Sequence, residues 1–239
     1  MEAPLADVWV YLSASPLAAL TFTLIAYQIG LALARRARLH PLVNPVLIAV
    51  ALIAGLLIAT DTPYETYFDG AQFVHFLLGP ATVALAIPLY RQFDKVRRSA
   101  FAILASLLTG SVTAAASAVG LAALFEAAPE TLASLAPKSV TAPVAMGISD
   151  ALGGLPSLTA VLVILTGILG AALGPLVLDL VRVRDWRARG FAIGVAAHGI
   201  GTARALQVNE TAGAFSGLAM GLNALATALL LPLLWRLVF

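Results

Sequence analysis

Six long apolar runs, separated by short stretches rich in arginine or acidic residues, set the rhythm of this chain. They extend approximately from Ser13 to Ala34, Leu42 to Thr60, Phe68 to Tyr90, Ser99 to Phe125, Pro156 to Val183 and Thr211 to Leu237. A helix rising about 1.5 Å per residue needs about 20 mainly apolar residues to cross roughly 30 Å of hydrocarbon. Each run meets that requirement. Two further segments, about Leu132 to Leu152 and Gly190 to Gln207, are apolar but crowded with Gly, Ser, Thr and a few charges. That pattern predicts half-helices or re-entrant turns. The expected fold is an all-α integral membrane protein with about six transmembrane helices plus two interrupted segments, forming a single domain over residues 1–239.

Composition strengthens this reading. Of 239 residues, 61% are hydrophobic and 11% charged, against roughly a quarter charged in a soluble domain. The first residues carry Glu2 and Asp7 where a signal peptide has its basic region, so the first run is expected to stay as a span. With no cysteine, thiol catalysis, disulfides and cysteine metal sites are excluded. His40, His75 and His198 are scattered, and no metal is expected.

Charge then sets the topology. Arg35, Arg36 and Arg38, then Arg91, Lys95, Arg97 and Arg98, then Arg182, Arg184, Arg187 and Arg189 fall in alternate loops. Basic loops are retained in the cytoplasm, so these are topology signals rather than a nucleic-acid footprint. The opposite side holds Glu2, Asp7, Asp61, Glu65, Asp69, Glu126, Glu130 and Arg236. The chain is therefore expected in the inner membrane with both termini outside. Each interrupted segment must then leave by the face it came from, the first outside and the second cytoplasmic. That is the geometry of an inverted repeat, with halves of about 42–126 and 131–239.

Candidate chemistry concentrates in the interrupted segments. Pro143, Gly147, Gly153, Gly154 and Pro156 break any helix between Pro137 and Ser157, and broken backbone at membrane depth needs protein or a watery cavity to satisfy it. Ser139 and Thr141 offer hydroxyls there, and a short helix beginning near Ala142 would aim its positive end at an anion. Lys138 adds a charge, unless it only reaches for the outer headgroups. Asp150, an acid among small apolar residues, is a candidate carrier of a coupling proton or cation, with a helix cap or surface position as the alternative. In the second segment His198, Arg204 and Thr202 stand among Gly194, Gly199 and Gly201. Arg204 is the first choice as an anion anchor, because its fork binds a carboxylate bidentately; a salt bridge to Glu210 or a topology charge facing the cytoplasm is the competing reading. His198 could relay a proton or donate to an oxyanion, with a plain hydrogen bond to backbone as the competing reading. Gly79 and Pro80 break the third span beside Thr82, with Gly199, Gly201 and Pro143 as the other expected breaks or hinges. Asn223 is a mid-span amide that needs a partner, and Gly170/Gly174 and Gly217/Gly221 have the spacing of close helix packing.

The same residues resemble the LrgB/CidB family, to which the membrane domain of a plastidic glycolate/glycerate transporter of plants belongs. The resemblance runs from about Asn44 to Trp235 and rests on NP at Asn44, FLLGPATVALAIPLY, PKSVTAPVAMGIS, GGLPSLTA, HGIGTARAL and NETAGAFSGLAMGLNALATALLLP. One position departs from it: Gln207 stands where an acid follows the TARAL stretch, which counts against any role for a carboxylate there. The resemblance implies either a transporter of glycolate, glycerate, pyruvate or similar two- to three-carbon acids, or a holin/antiholin-like regulator of murein hydrolases and autolysis. The regulator would act with a small LrgA/CidA-type membrane partner.

The residues themselves favour transport by alternating access. Arg204, Lys138, Ser139, Thr141, Thr202, His198 and Asn223 are expected to line the substrate site, and Asp150 or His198 to carry a coupling H+ or Na+. No cofactor is expected. Small-residue helix faces suggest a homodimer. An enzyme is not expected, because HExxH, GxSxG and paired acids on one helix face are all missing.

Overall fold

Asn44 and Pro45 show how sharply this sequence starts a helix. Asn44 accepts at Oδ1 from the backbone N–H of Val46 at 2.8 Å and of Leu47 at 3.3 Å, while Pro45 fills the first turn with a residue that has no N–H to satisfy. The computed structural model describes residues 16–38, 43–77, 80, 86–91 and 93–238, and it divides into two compact units, Met1–Ala84 and Leu85–Phe239. In the first unit α1 (Pro16–Arg36), α2 (Pro45–Ala59) and α3 (Tyr64–Phe76) pack together. Gly30 lies against the Pro45 backbone, and Thr23 shares a 2.8 Å hydrogen bond with the Tyr67 hydroxyl.

The second unit contains α4 (Ala86–Arg91), α5 (Phe93–Arg98), α6 (Ala100–Leu124), α7 (Pro129–Leu135), α8 (Ala142–Ala151), α9 (Pro156–Leu180), α10 (Trp186–Val208) and α11 (Glu210–Val238). Among the described residues, four helices are long and apolar enough to cross a membrane: Leu17–Arg36, Ala100–Leu124, Pro156–Leu180 and Glu210–Leu237. Four of the six expected spans therefore stand as full-length helices. The second is shorter than its apolar run because Asn44 and Pro45 delay its start, leaving 15 residues. The third is not one described helix. It ends at Phe76, its expected break at Gly79 and Thr82 lies outside the described residues, and Pro80 is exposed.

Both interrupted segments are helical hairpins. In the first, α7 runs in, a non-helical stretch turns the chain, and α8 returns, so that Gly154 approaches Ser134 and Ala133. Three hydroxyls knot its base. Ser134 Oγ accepts from Leu155 N–H at 2.8 Å and lies 2.6 Å from Glu130 O, while Thr159 Oγ1 lies 2.7 Å from Ser149 Oγ and 3.1 Å from Ser134 O. Ser134, Ser149 and Thr159 are fully buried. In the second, α10 folds back on itself at His198, whose φ of 40° and ψ of −132° are not helical. A side chain on Gly201 would collide with Ala197 and Ile193 of the incoming arm; Ile193 is eight positions earlier, about 12 Å away along a straight helix.

The bases of the two hairpins adjoin opposite ends of α9. α7 and α8 begin and end beside Glu126, Glu130 and the N-terminus of α9. α10 begins after the C-terminus of α9, in a turn rich in arginine, and ends beside Glu210, which pairs with Arg91 at 3.6 Å. Arg189 locks that turn: its guanidinium donates to Asp179 at 2.6 Å and Val183 O at 2.8 Å and lies 5.3 Å from the Trp186 ring centre. Arg187 forks onto Asp185, with contacts of 2.6 and 3.1 Å. That hydrogen bonding holds the Asp185 carboxyl at about 2, below its ordinary 3.8.

Candidate functional site

The tips of the hairpins meet at Asn223, near the middle of α11. Its side chain is buried, and its Nδ2 donates to Ser139 O in the first tip and to Val195 O just before the second, both at 3.1 Å. Its Oδ1 lies 2.5 Å from Ser111 Oγ, near the middle of α6. A single amide thus ties two long helices to both broken backbones. The carbonyls it satisfies are those that helix breaks leave without internal donors.

On the first tip, Lys138 is half-buried with Nζ 3.4 Å from Ser139 Oγ, and Val140 packs into a core with Ala136, Ala145, Ile148, Val163 and Leu231. Thr141 stands at the N-cap of α8, and its side chain makes no capping hydrogen bond. The helix begins at Ala142, where the sequence places it. Pro143, an expected break, instead fills its first turn, where a residue without an N–H is tolerated, and Gly147 lies within the helix. On the second tip His198 is buried, with Nε2 2.9 Å from Val163 O of α9 and its ring against Gly167. Thr202 Oγ1 donates to His198 O at 2.8 Å and shares a 2.9 Å contact with Ser216 Oγ. The N-terminal ends of α8 and of the returning arm of α10 both therefore sit at the tips, and helix N-termini carry partial positive charge.

The structure brings Lys138, Ser139, Thr141, His198, Thr202 and Asn223 to or beside the tips. It does not bring Asp150, which is exposed on the last turn of α8 at the base of its hairpin. Arg204 is half-buried on the returning arm of α10, six residues and about 9 Å of helix beyond His198. Glu210, the partner weighed for Arg204, pairs with Arg91 at 3.6 Å.

The turn in α10 falls on His198 itself rather than on Gly199 or Gly201, the expected breaks. Its φ and ψ are those of the first central residue of a type II′ turn, a conformation that glycine adopts freely and other residues only under strain. His198→Gly relieves that strain but loses the Val163 contact, whereas His198→Ala loses the contact and keeps the strain. The alanine variant is expected to be less stable than the glycine variant by about 1–2 kcal/mol, measured by equilibrium unfolding in detergent. Alanine equal to or better than glycine would remove the strained turn from this account.

Sequence reasoning missed the Ser134–Ser149–Thr159 knot and the Arg189 clamp. Both lie where short hydroxyl side chains or a loop arginine have no local pattern to mark them. Paired glycines were read partly correctly: Gly170 and Gly174 pack on Ala197 and Ile193, but a side chain on Gly221 would meet nothing. The close seam of α11 lies a turn or more earlier, at Ala212 and Ser216, facing Gly190 and Gly194 of α10.

These features define a multi-pass, all-helical membrane protein with two helical hairpins. A model of the LrgB-like family matches residues 23–237, and the chain belongs to that family. It is 39% identical to the uncharacterized protein YwbG of Bacillus subtilis over 80% of this chain and 85% of that one. It is 34% identical to a protein named holin-like protein CidB of Staphylococcus epidermidis, over 82% and 85%. It is 31% identical to one named antiholin-like protein LrgB of Bacillus mycoides, over 92% and 95%. No solved structure matches the chain.

Proposed function

We propose that this chain is a holin/antiholin-like factor of the inner membrane, with its basic face cytoplasmic and its termini outward. The observation that carries this reading is the likeness to relatives named holin-like and antiholin-like over more than four fifths of each chain. The geometry agrees with a membrane element that is closed at rest. Asn223 satisfies Ser111 and one carbonyl of each broken backbone, so these groups hold the two hairpins together without water. Opening would part the hairpins, and an LrgA/CidA-type membrane partner, or a second copy of this chain, would bias that motion.

A second reading is kept because of one specific arrangement. Two half-helix N-termini converge from opposite faces beside Lys138, with Arg204 further along the second hairpin. That suits a small anion such as glycolate, glycerate or pyruvate, carried with H+ or Na+ between alternate states.

Proteoliposomes loaded with a fluorescent dye separate the two. Dye release that increases with a co-reconstituted LrgA/CidA-type protein is the outcome expected of the holin-like factor. Saturable uptake of labelled glycolate or pyruvate without dye release would replace it with the carrier. In that case Lys138→Met and Arg204→Ala are each expected to lower uptake at least about tenfold, the loss of one charge-assisted hydrogen bond. Uptake unchanged in both variants would remove the anion site.

A further inference from the structure

A cleft of about 680 Å³ runs between α6 and the incoming arm of α10, ending at Val195 and Ala196 beside the second tip. Ser99, Ser106 and Thr113 line one wall, Ala188 and Val195 the other, and buried Phe215 the floor. It opens on the arginine-rich face, at Ser99, Asp185 and Arg187. From Ser99 to Thr113 the helical rise is about 21 Å, somewhat more than the roughly 15 Å depth of one leaflet. On that wall Thr109 turns its hydroxyl back onto Ala105 O at 2.8 Å.

Exposed cations crowd the two segments that lead into the mouth, residues 94–99 and 182–187. Asp185 and Asp179 are already taken by Arg187 and Arg189. Lys95, Arg97, Arg98, Arg182 and Arg184 are all exposed, and among the described residues none of them forms an ion pair. Asp94 is the remaining acid of these two segments.

We propose that this cleft binds an anionic glycerophospholipid of the leaflet on the basic face, its phosphate at the cationic mouth and one acyl chain along the groove. Charge and depth both select that occupant. A cationic mouth draws anionic headgroups, and a groove ending near Thr113 holds the chain of one leaflet. A helix from a second copy would need the whole length of α6, where Leu121 and Leu124 stand exposed beyond the end of the groove. The proposal is independent of whether the tips serve a holin-like factor or a carrier.

Delipidated full-length protein titrated with phosphatidylglycerol or phosphatidylcholine and followed by native mass spectrometry tests it. Phosphatidylglycerol is expected to be retained at roughly tenfold lower concentration. Filling the groove with Ala102→Phe and Ser106→Phe, both on exposed positions, is expected to abolish that retention while the thermal unfolding transition stays in place. Neutralising the mouth with Arg97→Gln, Arg98→Gln and Arg184→Gln is expected to remove the preference between lipids. If the filled protein fails to fold, the neutralised one decides, and an undiminished preference there overturns the proposal. Retention unchanged in a folded, groove-filled protein also overturns it, because the arginines alone would then gather lipid. So does a shift from dimer to monomer with lipid retention intact, which assigns the groove to a second copy.

Discussion

Asn223→Leu is expected to lower the unfolding free energy of the purified protein by about 2–4 kcal/mol. Leucine nearly matches asparagine in shape, so the helix and its packing stay, and what disappears is hydrogen bonding. Ser139 O and Val195 O lose their donor at the depth where water is scarcest, and an unsatisfied buried acceptor costs about 1–3 kcal/mol. Ser111 is less affected, because its hydroxyl still reaches Leu107 O at 2.7 Å. Asn223→Asp sharpens the test. It keeps the acceptor for Ser111 but places carboxylate oxygens against two carbonyl oxygens, so it should be worse than leucine. Unfolding in mixed micelles measures both. An Asn223→Leu variant within about 0.5 kcal/mol of the parent, the range of an inconsequential substitution, would mean that the two broken backbones are held by something other than this amide.

How much of this was legible differs from element to element. The start of α8 was, because Thr141, Ala142 and Pro143 combine an N-cap position with a residue that has no N–H to give. That both interrupted segments fold back on themselves was also legible, since each is crowded with residues that break a helix. The pivot of the second hairpin was not. Glycine is the residue that a turn of this shape selects, and the sequence supplies Gly199 and Gly201 nearby, yet the chain bends at His198. The reason is packing. Gly201 is needed against Ile193 and Ala197, and the His198 ring is held by Val163 O and Gly167. Asn223 was recognisable as an amide in need of a partner, but its partners lie 84 and 28 residues away in the chain, a distance that no local pattern encodes. Asp150 illustrates the opposite error. An acid in an apolar stretch looks buried until the turn at Gly153 and Gly154 places it at the exposed base of the hairpin.

Glycine spacing alone also fails to separate Gly194 from Gly221, and their substitution is expected to give opposite results. At Gly194 a Cβ would overlap Ser216 O and approach Ala219 Cβ at 2.7 Å. The obstacle is α11 backbone, which cannot rotate aside as a side chain does. Gly194→Ala should therefore push α10 away from α11, along the seam that also buries Ala212, Ala219 and Ser216, at a cost of about 3 kcal/mol or more. Gly194→Val, larger and β-branched, should leave no folded protein to purify. At Gly221 nothing lies within 4 Å of the added carbon, and alanine replaces the most flexible residue within a 29-residue helix. Gly221→Ala should gain about 0.5–1 kcal/mol. Yield of monodisperse protein and its thermal transition report both signs at once. Tolerance of alanine at Gly194 equal to that at Gly221 would show that the second hairpin does not dock on α11, and the meeting of the two tips at Asn223 would lose its scaffold.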